Sequence, residues 1–234
     1  MKAIYKRELR AFFTTPIGYA FLVIFFLLSG VIFAYTTLFS MSADVTSYFT
    51  IMLIAMTVLL PLLTMKQFSE EKKQKTEQVW LTAPVSLTSV VLGKFLAALT
   101  LFCGALTVGV FSFVILYRYG QVKTAVLLGN YLALILVGMA FLAVGLFVSA
   151  LTENQLASAV GTVGILMAFL AISLLGQFVN IYWLRFVLDS FSIYTRFLNF
   201  SQGVFDISAL VYYISVSAVF LFLAVRVYDR RRIG

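Results

Sequence analysis

Six long runs without a charged residue dominate this sequence and limit what the chain can fold into. The shortest run has 19 residues, and an α-helix needs about 20 residues to cross the hydrocarbon core of a bilayer. The runs cover residues 11–43, 45–65, 95–117, 124–152, 154–184 and 207–225. They predict six transmembrane helices at about 17–39, 46–65, 93–117, 125–149, 157–180 and 207–227.

The composition also requires a lipid solvent. The 234-residue chain is 62% hydrophobic and 11% charged, whereas soluble domains carry about 25% charged residues. Transmembrane β-strands would be about 10 residues long and would alternate in polarity, but residues 21–28 read FLVIFFLL. Because a helix satisfies its own backbone hydrogen bonds in lipid, the sequence predicts an all-α integral membrane protein with a single transmembrane domain over 1–234.

Lysine and arginine are distributed unevenly between the predicted loops. With six spans, 13 of the 17 basic residues lie on one side of the membrane. They are Lys2, Lys6, Arg7, Arg10, Lys66, Lys72, Lys73, Lys75, Lys94, Arg226, Arg230, Arg231 and Arg232. The positive-inside rule then predicts that both termini are cytoplasmic. Since these cations flank apolar spans and face anionic lipid headgroups, the net charge of +8 does not indicate a nucleic-acid partner.

The first 15 residues have two faces at helical spacing. One face is basic and the other is apolar, which predicts an amphipathic helix lying in the membrane interface over 1–15. The side chains expected at this interface are Lys2, Lys6, Arg10, Phe12 and Phe13. Pro16 separates this helix from the first span.

Residues 66–86 form the most charged stretch between two spans. Glu71 and Lys75 are four residues apart, a spacing typical of ion pairs on a surface helix. Val79, Trp80 and Leu81 would end this helix with exposed apolar side chains. Such a cytoplasmic helix suits docking on a partner protein, although a solvated loop helix with interfacial anchors would have the same pattern.

The connection between spans four and five, 149–158, is very short and contains Glu153. It predicts an antiparallel helical hairpin. Small residues at the start of span five, Ala157, Gly161 and Gly164, predict close approach to a neighbouring helix. On the outer side, the long segment 176–206 is rich in aromatic residues, and we expect it to lie in the interface or to dip into the bilayer.

Catalytic chemistry has little support in this sequence. The absence of histidine excludes HExxH zinc sites and Ser–His–Asp triads. There is no GxxxxGK[ST] phosphate-binding loop. No acidic residue lies in the core of a predicted span, which weighs against coupling to protons or sodium. We therefore expect a non-catalytic chain without a metal or cofactor of its own.

Four stretches match a known family over essentially the whole chain. They are ELRAFFTTPIGYAF at 8–21, FSEEKK…T…LTAPVSLTSVVLGK at 68–94, SALTENQLASA at 149–159 and SQGVFDISALVYYISV at 201–216. The chain resembles the permease subunit of type-2 ABC transporters, and within that class the gliding-motility-associated permease subfamily. Two positions depart from the family pattern: Lys75 replaces the usual Gly before Thr76, and Gln78 stands where an acidic residue is common.

The resemblance implies a division of labour between subunits. The region around 68–81 would be a coupling helix in a groove of a separate cytoplasmic ATPase, which would bind ATP and Mg, and 149–158 would make a second contact. The implied coupling residues are Phe68, Glu70, Glu71, Thr76, Val79, Trp80, Leu81, Pro84 and Glu153. A second permease copy would pair with this one as a homo- or heterodimer in the bacterial inner membrane, and an accessory membrane protein with a large external domain often accompanies the subfamily.

The sequence and the resemblance therefore support two alternative functions. The first is the permease of an ABC exporter, whose partner ATPase drives substrate translocation. The alternative is a component that transmits ATP-driven motion to an external partner, or acts as its scaffold, without translocating a substrate. A membrane-embedded enzyme lacks the residues it would need. In the first case, we expect changes at Glu71, Trp80 or Leu81 to uncouple ATP hydrolysis from transport without unfolding the chain.

Overall fold

The computed structural model describes residues 1–41, 45–83, 85–119, 123–178, 183, 192–203 and 206–233. Within these ranges the regular structure is entirely helical. The helices are α1 (Lys2–Thr14), α2 (Pro16–Phe33, continued by a π-helical turn at Ala34–Phe39), α3 (Thr46–Lys73), α4 (Glu77–Thr82), α5 (Leu87–Tyr119), α6 (Thr124–Leu151), α7 (Gln155–Phe178), α8 (Ile193–Ser201) and α9 (Ile207–Ile233).

Six of these helices are long and apolar enough to cross a membrane. The candidate spans are Pro16–Phe39, Thr46–Lys73, Leu87–Val114, Thr124–Leu151, Gln155–Ser173 and Ile207–Arg232. An all-helical protein with six candidate spans is thus confirmed for the described part of the chain. The helices that enclose the charged stretch are longer than expected, because α3 continues to Lys73 and α5 begins at Leu87.

The charged stretch is therefore not one separate surface helix. Its first half continues α3, and the helix stops at a Schellman turn in which Thr76 N donates to Glu71 O at 2.9 Å and Lys75 N to Lys72 O at 3.1 Å. Lys75 occupies the left-handed position of this turn with φ 57°. Glycine is the usual residue there because it has no Cβ to clash with the backbone. The short helix α4 follows the turn.

Helix α6 is the centre of the bundle. In its most apolar stretch 78% of residues are buried, against 22% in α7. It packs on both α3 and α9. The contact with α3 is close at Gly145, where a Cβ would lie 2.2 Å from Thr64 Oγ1. The small residues predicted for this role on α7 contribute less: Gly161 approaches Val148 of α6, whereas a Cβ on Gly164 would have no neighbour within 4 Å. Within this chain Gly164 makes no close helix contact, because it is exposed on the face of α7 that points away from the bundle.

Helix α1 packs against α5 rather than standing apart from the bundle. A Cβ on Gly93 would lie 2.9 Å from Ile4 Cγ2, so this glycine allows the two helices to meet. Lys2, Lys6, Arg10 and Phe13 are exposed as an interfacial helix requires, but Phe12 is buried in the core. The assignment of Phe12 to the lipid interface was therefore wrong, because its side chain is covered by the protein itself.

The opposite end of the bundle contains α8, which packs on α6. Ser192 caps this helix, since its Oγ accepts a hydrogen bond from Thr195 N at 3.0 Å. The Tyr213 hydroxyl of α9 donates to Ile193 O at 2.8 Å. Part of the predicted outer segment 176–206, residues 179–182, 184–191 and 204–205, lies outside the described residues, and the association of the segment with the membrane stays a prediction.

Candidate functional site

One end of the bundle brings together four parts of the chain that the sequence keeps apart. Helix α1, the end of α3 with α4, the link between α6 and α7, and the last turns of α9 all meet there through ion pairs. We call this end the basic end, because the 13 basic residues grouped by the sequence lie in these segments and at the start of α5.

Lys94 is the centre of the basic end. It lies in the third turn of α5, and its side chain is 1% exposed. Its Nζ donates to the backbone oxygen of Gln67 at 2.7 Å and to Glu71 Oε1 at 2.9 Å, and it lies 3.3 Å from Glu8 Oε2. The ammonium also faces the Phe68 ring at 5.1 Å. Burying a charge this deeply is tolerated only when it is paired and hydrogen-bonded, as it is here.

Glu8 and Glu71 share a second cation, Arg7 of α1. Arg7 Nη2 donates to Glu8 Oε1 at 2.6 Å and to Glu71 Oε1 at 3.1 Å. Burial alone would lower the pKa of Arg7, but hydrogen bonds and charge from Glu8 and Glu71 outweigh it and raise the pKa. The guanidinium therefore stays charged. Two carboxylates and two cations thus join α1, α3 and α5 in one network.

An aromatic cluster continues this network towards α9. Trp80 Nε1 donates to Glu71 Oε2 at 3.1 Å, and the Trp80 ring packs edge-on against Tyr228 with centroids 4.8 Å apart. Phe68 lies 5.0 Å from the same tyrosine ring. Beside the cluster, Arg231 Nη1 lies 3.4 Å from Glu77 Oε2. The short helix α4 is therefore held against both α3 and α9.

The link between α6 and α7 is attached to α3 in two ways. Lys72 Nζ donates to Leu151 O at 3.2 Å and lies 3.5 Å from Glu153 Oε1. One turn deeper, Ser149 Oγ accepts from the backbone N–H groups of Phe68 and Ser69, each at 3.1 Å. The end of α3 and the link are thus joined by direct contacts.

The structure divides the predicted coupling residues into an inward and an outward set. Phe68 and Trp80 are buried, at 0% and 8% exposure, and Glu71 lies between them and the cations. By contrast, Val79 is 73% exposed and the Glu153 side chain 67%. The remaining members lie between these sets or outside the described residues: Glu70 and Leu81 are half-buried, Thr76 is exposed, and Pro84 is not described.

Two expectations about this stretch change as a result. Trp80 is not the exposed apolar side chain that the sequence suggested, because its ring fills the space between Phe68 and Tyr228. Glu71 is not paired with Lys75, which lies in the turn, but with Arg7 and Lys94. Substitutions at Glu71 or Trp80 would therefore disturb the packing of this chain as well as any docking surface.

Several residues of the network were not singled out by sequence reasoning. These are Arg7, Glu8, Gln67, Glu77, Tyr228 and Arg231. Arg7, Arg231 and Lys94 were counted only among the basic residues of their side, and Lys94 also ended the family stretch 68–94. A signal for Lys94 does exist, because it is a cation within the continuous apolar helix LGKFLAAL. Such a residue needs an internal anion, and Glu8 and Glu71 supply it.

The arrangement at the basic end consists of ion pairs and packing, and the part of the chain that the structure describes has no cluster of three or more metal-binding side chains. A helical body with six candidate spans and a charged end defines a multi-pass membrane protein. The family model for "ABC-2 family transporter protein" matches residues 2–232, and the chain belongs to this family. It is accordingly a membrane permease of the ABC-2 type, a family of transport components that are generally non-catalytic and that imply an ATPase partner. No curated protein matches the chain.

Proposed function

We propose that this chain is the membrane-spanning subunit of an ABC exporter, in the gliding-motility-associated subfamily. A separate ATPase binds ATP and Mg and docks on the basic end, which lies in the cytoplasm of a bacterium together with both termini. The observation that carries this proposal is the position of α4. Its inner face is fixed to α3 and α9 through Trp80, while its outer face, including Val79, is exposed.

The proposed docking surface combines the Schellman turn, the outer face of α4 and the link between α6 and α7. It contains exposed residues of mixed character: Lys75, Thr76, Gln78, Val79 and Glu153. A small exposed apolar side chain with a polar rim is the usual anatomy of a protein interface. Lys72 connects the two halves of this surface through its ion pair with Glu153.

The contacts behind the surface support transmission of force into the membrane. Because α3 is one continuous helix from Thr46 to Lys73, a displacement at its end moves the whole second span. Lys94 connects the same point to α5, and Tyr228 connects it to α9. A push from the ATPase on α4 would therefore reach several spans at once, without a flexible loop in between.

The complete transporter contains a second permease, either another copy of this chain or a related one. The least buried spans, α2, α7 and α9, offer apolar surface for lipid and for this pairing. An accessory membrane protein with a large external domain would contact the opposite end. ATP binding and hydrolysis by the paired ATPases then alternate the bundle between conformations that accept and release substrate.

The docking surface is tested with Val79→Glu. This change places a charge on the exposed face of α4 and leaves the inner contacts of Trp80 intact. We expect the variant to retain the thermal stability of the wild type in detergent but to lose at least about 90% of ATPase co-purification, since an unpaired charge in an interface costs several kcal/mol. The matched control is Gln202→Glu, an exposed position at the opposite end of the bundle.

Unchanged co-purification of the Val79→Glu protein would show that the ATPase binds elsewhere. In proteoliposomes, the wild-type complex should couple ATP hydrolysis to export, and Val79→Glu should abolish both. A complex that hydrolyses ATP normally but moves none of the candidate substrates would instead favour a mechanical role on an external partner.

A further inference from the structure

A partly open cavity lies beside the buried ion network, between α1, the start of α2 and the end of α3. Its volume is about 390 Å³. This is within the range of about 300–1,000 Å³ found for small-molecule sites in proteins. The proposed coupling function uses some residues of its wall, such as Glu71, Thr76 and Lys94, but it does not account for the cavity itself.

The amide of Gln67 marks the cavity as a binding site rather than a packing defect. Gln67 lines the cavity and is 6% exposed, and neither its Nε2 nor its Oε1 has a hydrogen-bond partner within the described part of the chain. A buried amide without hydrogen-bond partners is destabilising, because it has lost its water and gained nothing in return. A ligand that both accepts and donates hydrogen bonds would remove this cost.

The charges on the cavity wall select a zwitterion. Three basic side chains, Arg7, Lys66 and Lys94, face three acidic ones, Glu8, Glu70 and Glu71. A simple anion would be repelled by the carboxylates, and a simple cation by the basic groups. Lys94 is saturated by its three oxygen contacts. Lys66 and Glu70, one helical turn apart on α3, pair with each other at 3.0 Å and are partly exposed. Arg7 uses Nε and Nη2 for its carboxylates, and its Nη1 remains for a phosphate.

The depth of the cavity indicates a lipid. Helix α2 begins at Pro16 and α3 ends at Lys73, so the cavity is level with the ends of two candidate spans. One part of its wall is apolar and is formed by Phe12, Ile17 and Leu63. The charged part follows along α3 towards Gln74. This order, apolar towards the span and charged towards its end, matches the order of acyl chain and headgroup in a phospholipid.

We propose that this cavity binds the headgroup of a phospholipid that carries a phosphate and a primary ammonium, as in phosphatidylethanolamine. Arg7 and Lys66 bind the phosphate, Glu70 accepts hydrogen bonds from the ammonium, and the Gln67 amide completes the site. The acyl chains leave past the half-buried Ile17, and Phe12 and Leu63 form the inner apolar wall. The lipid thereby joins α1 to the second span beside the proposed coupling surface.

The test is a lipid titration of the full-length wild-type protein in detergent, followed by native mass spectrometry. Phosphatidylethanolamine should bind about tenfold more tightly than phosphatidylcholine, because the trimethylated nitrogen of the latter has no N–H to donate to Glu70 and so loses a charge-assisted hydrogen bond. It should also bind more tightly than phosphatidylglycerol, which lacks a cation. Equal retention of the three lipids would refute the proposal without any substitution.

Two variants locate the site. Glu70→Gln should reduce the preference for phosphatidylethanolamine over phosphatidylcholine to about twofold or less, and Gln67→Leu should weaken phosphatidylethanolamine binding about tenfold. Asp229→Asn and Gln202→Leu make the same chemical changes outside the cavity and should bind like the wild type. A preference that persists in Glu70→Gln would place the lipid elsewhere. Glycerophosphoethanolamine should bind far more weakly than the lipid, and equal binding would assign the cavity to a soluble ligand instead.

Discussion

Replacing Lys94 with methionine tests the ion network most directly. The substitution keeps an unbranched side chain of similar length and removes only the ammonium. Glu8 and Glu71 would then lose a cation at 3.3 and 2.9 Å, and the backbone oxygen of Gln67 would lose a donor at 2.7 Å. Both carboxylates keep Arg7, and Glu71 also keeps the Trp80 indole. The negative charge of Glu8 and Glu71 is thus still partly compensated in the variant.

The expected cost of Lys94→Met follows from these contacts. Removing one partner of a buried ion pair costs about 3–5 kcal/mol, and the remaining Arg7 contacts argue for the lower end, about 3 kcal/mol. Glu71→Gln alone should cost about 1–2 kcal/mol, since Lys94 keeps Glu8 and glutamine can still accept from Trp80. The double variant should be less destabilised than the sum of the two by at least about 1 kcal/mol, because it removes the uncompensated charge with its partner.

The free energy of unfolding is measured by titration with a denaturing detergent in mixed micelles, for the wild type, both single variants and the double variant. Thermal stability gives a second measurement on the same proteins. Full additivity of the two substitutions would refute the direct Lys94–Glu71 interaction. A Lys94→Met protein as stable as the wild type would refute the argument from burial.

Two further substitutions test local backbone and packing features. Lys75→Gly should stabilise the chain by about 1 kcal/mol, because the Schellman turn holds this residue at φ 57°. Lys75→Ala should show no such gain, which separates the backbone effect from the loss of charge. The melting temperatures of the wild type and the two variants test both expectations. Gly145→Ala should destabilise the chain by about 1–3 kcal/mol, because a Cβ would lie 2.2 Å from Thr64 Oγ1. Gly164→Ala, whose Cβ would have no neighbour within 4 Å, should be neutral or slightly stabilising. Equal effects of the two substitutions in the unfolding titration would contradict the packing of α3 on α6.

The number of spans could be predicted from the sequence because it depends on a local property. Each uncharged run is long enough to cross the bilayer by itself, whatever its neighbours are. The end of the second span could not be predicted in the same way. The charged residues 66–73 read as a separate surface helix, but they continue α3, since Ser149 of α6 and Lys94 of α5 supply partners beyond the apolar run.

The candidate site depended on contacts between residues far apart in the sequence. Trp80 and Val79 are adjacent apolar residues, and only the position of Tyr228, at the other end of the chain, determines that Trp80 is covered while Val79 is exposed. The family pattern did identify useful positions. The matching stretch 68–94 ends in Gly93, which leaves room for α1, and in Lys94, which pairs with Glu8 of that same helix. The pattern alone did not reveal that these two roles belong together.

The basic residues at this end act at two stages that require opposite surroundings. During insertion, an unpaired Lys94 or Arg231 contributes to the positive charge that would orient the spans with both termini in the cytoplasm. In the folded protein the same Lys94 is paired with Glu8 and Glu71, and Arg231 with Glu77. A lysine that only set the orientation could remain exposed, as Lys2 is. Burial of Lys94 therefore indicates a second role, which is to fix α1, α3 and α5 to one point beneath the proposed docking surface.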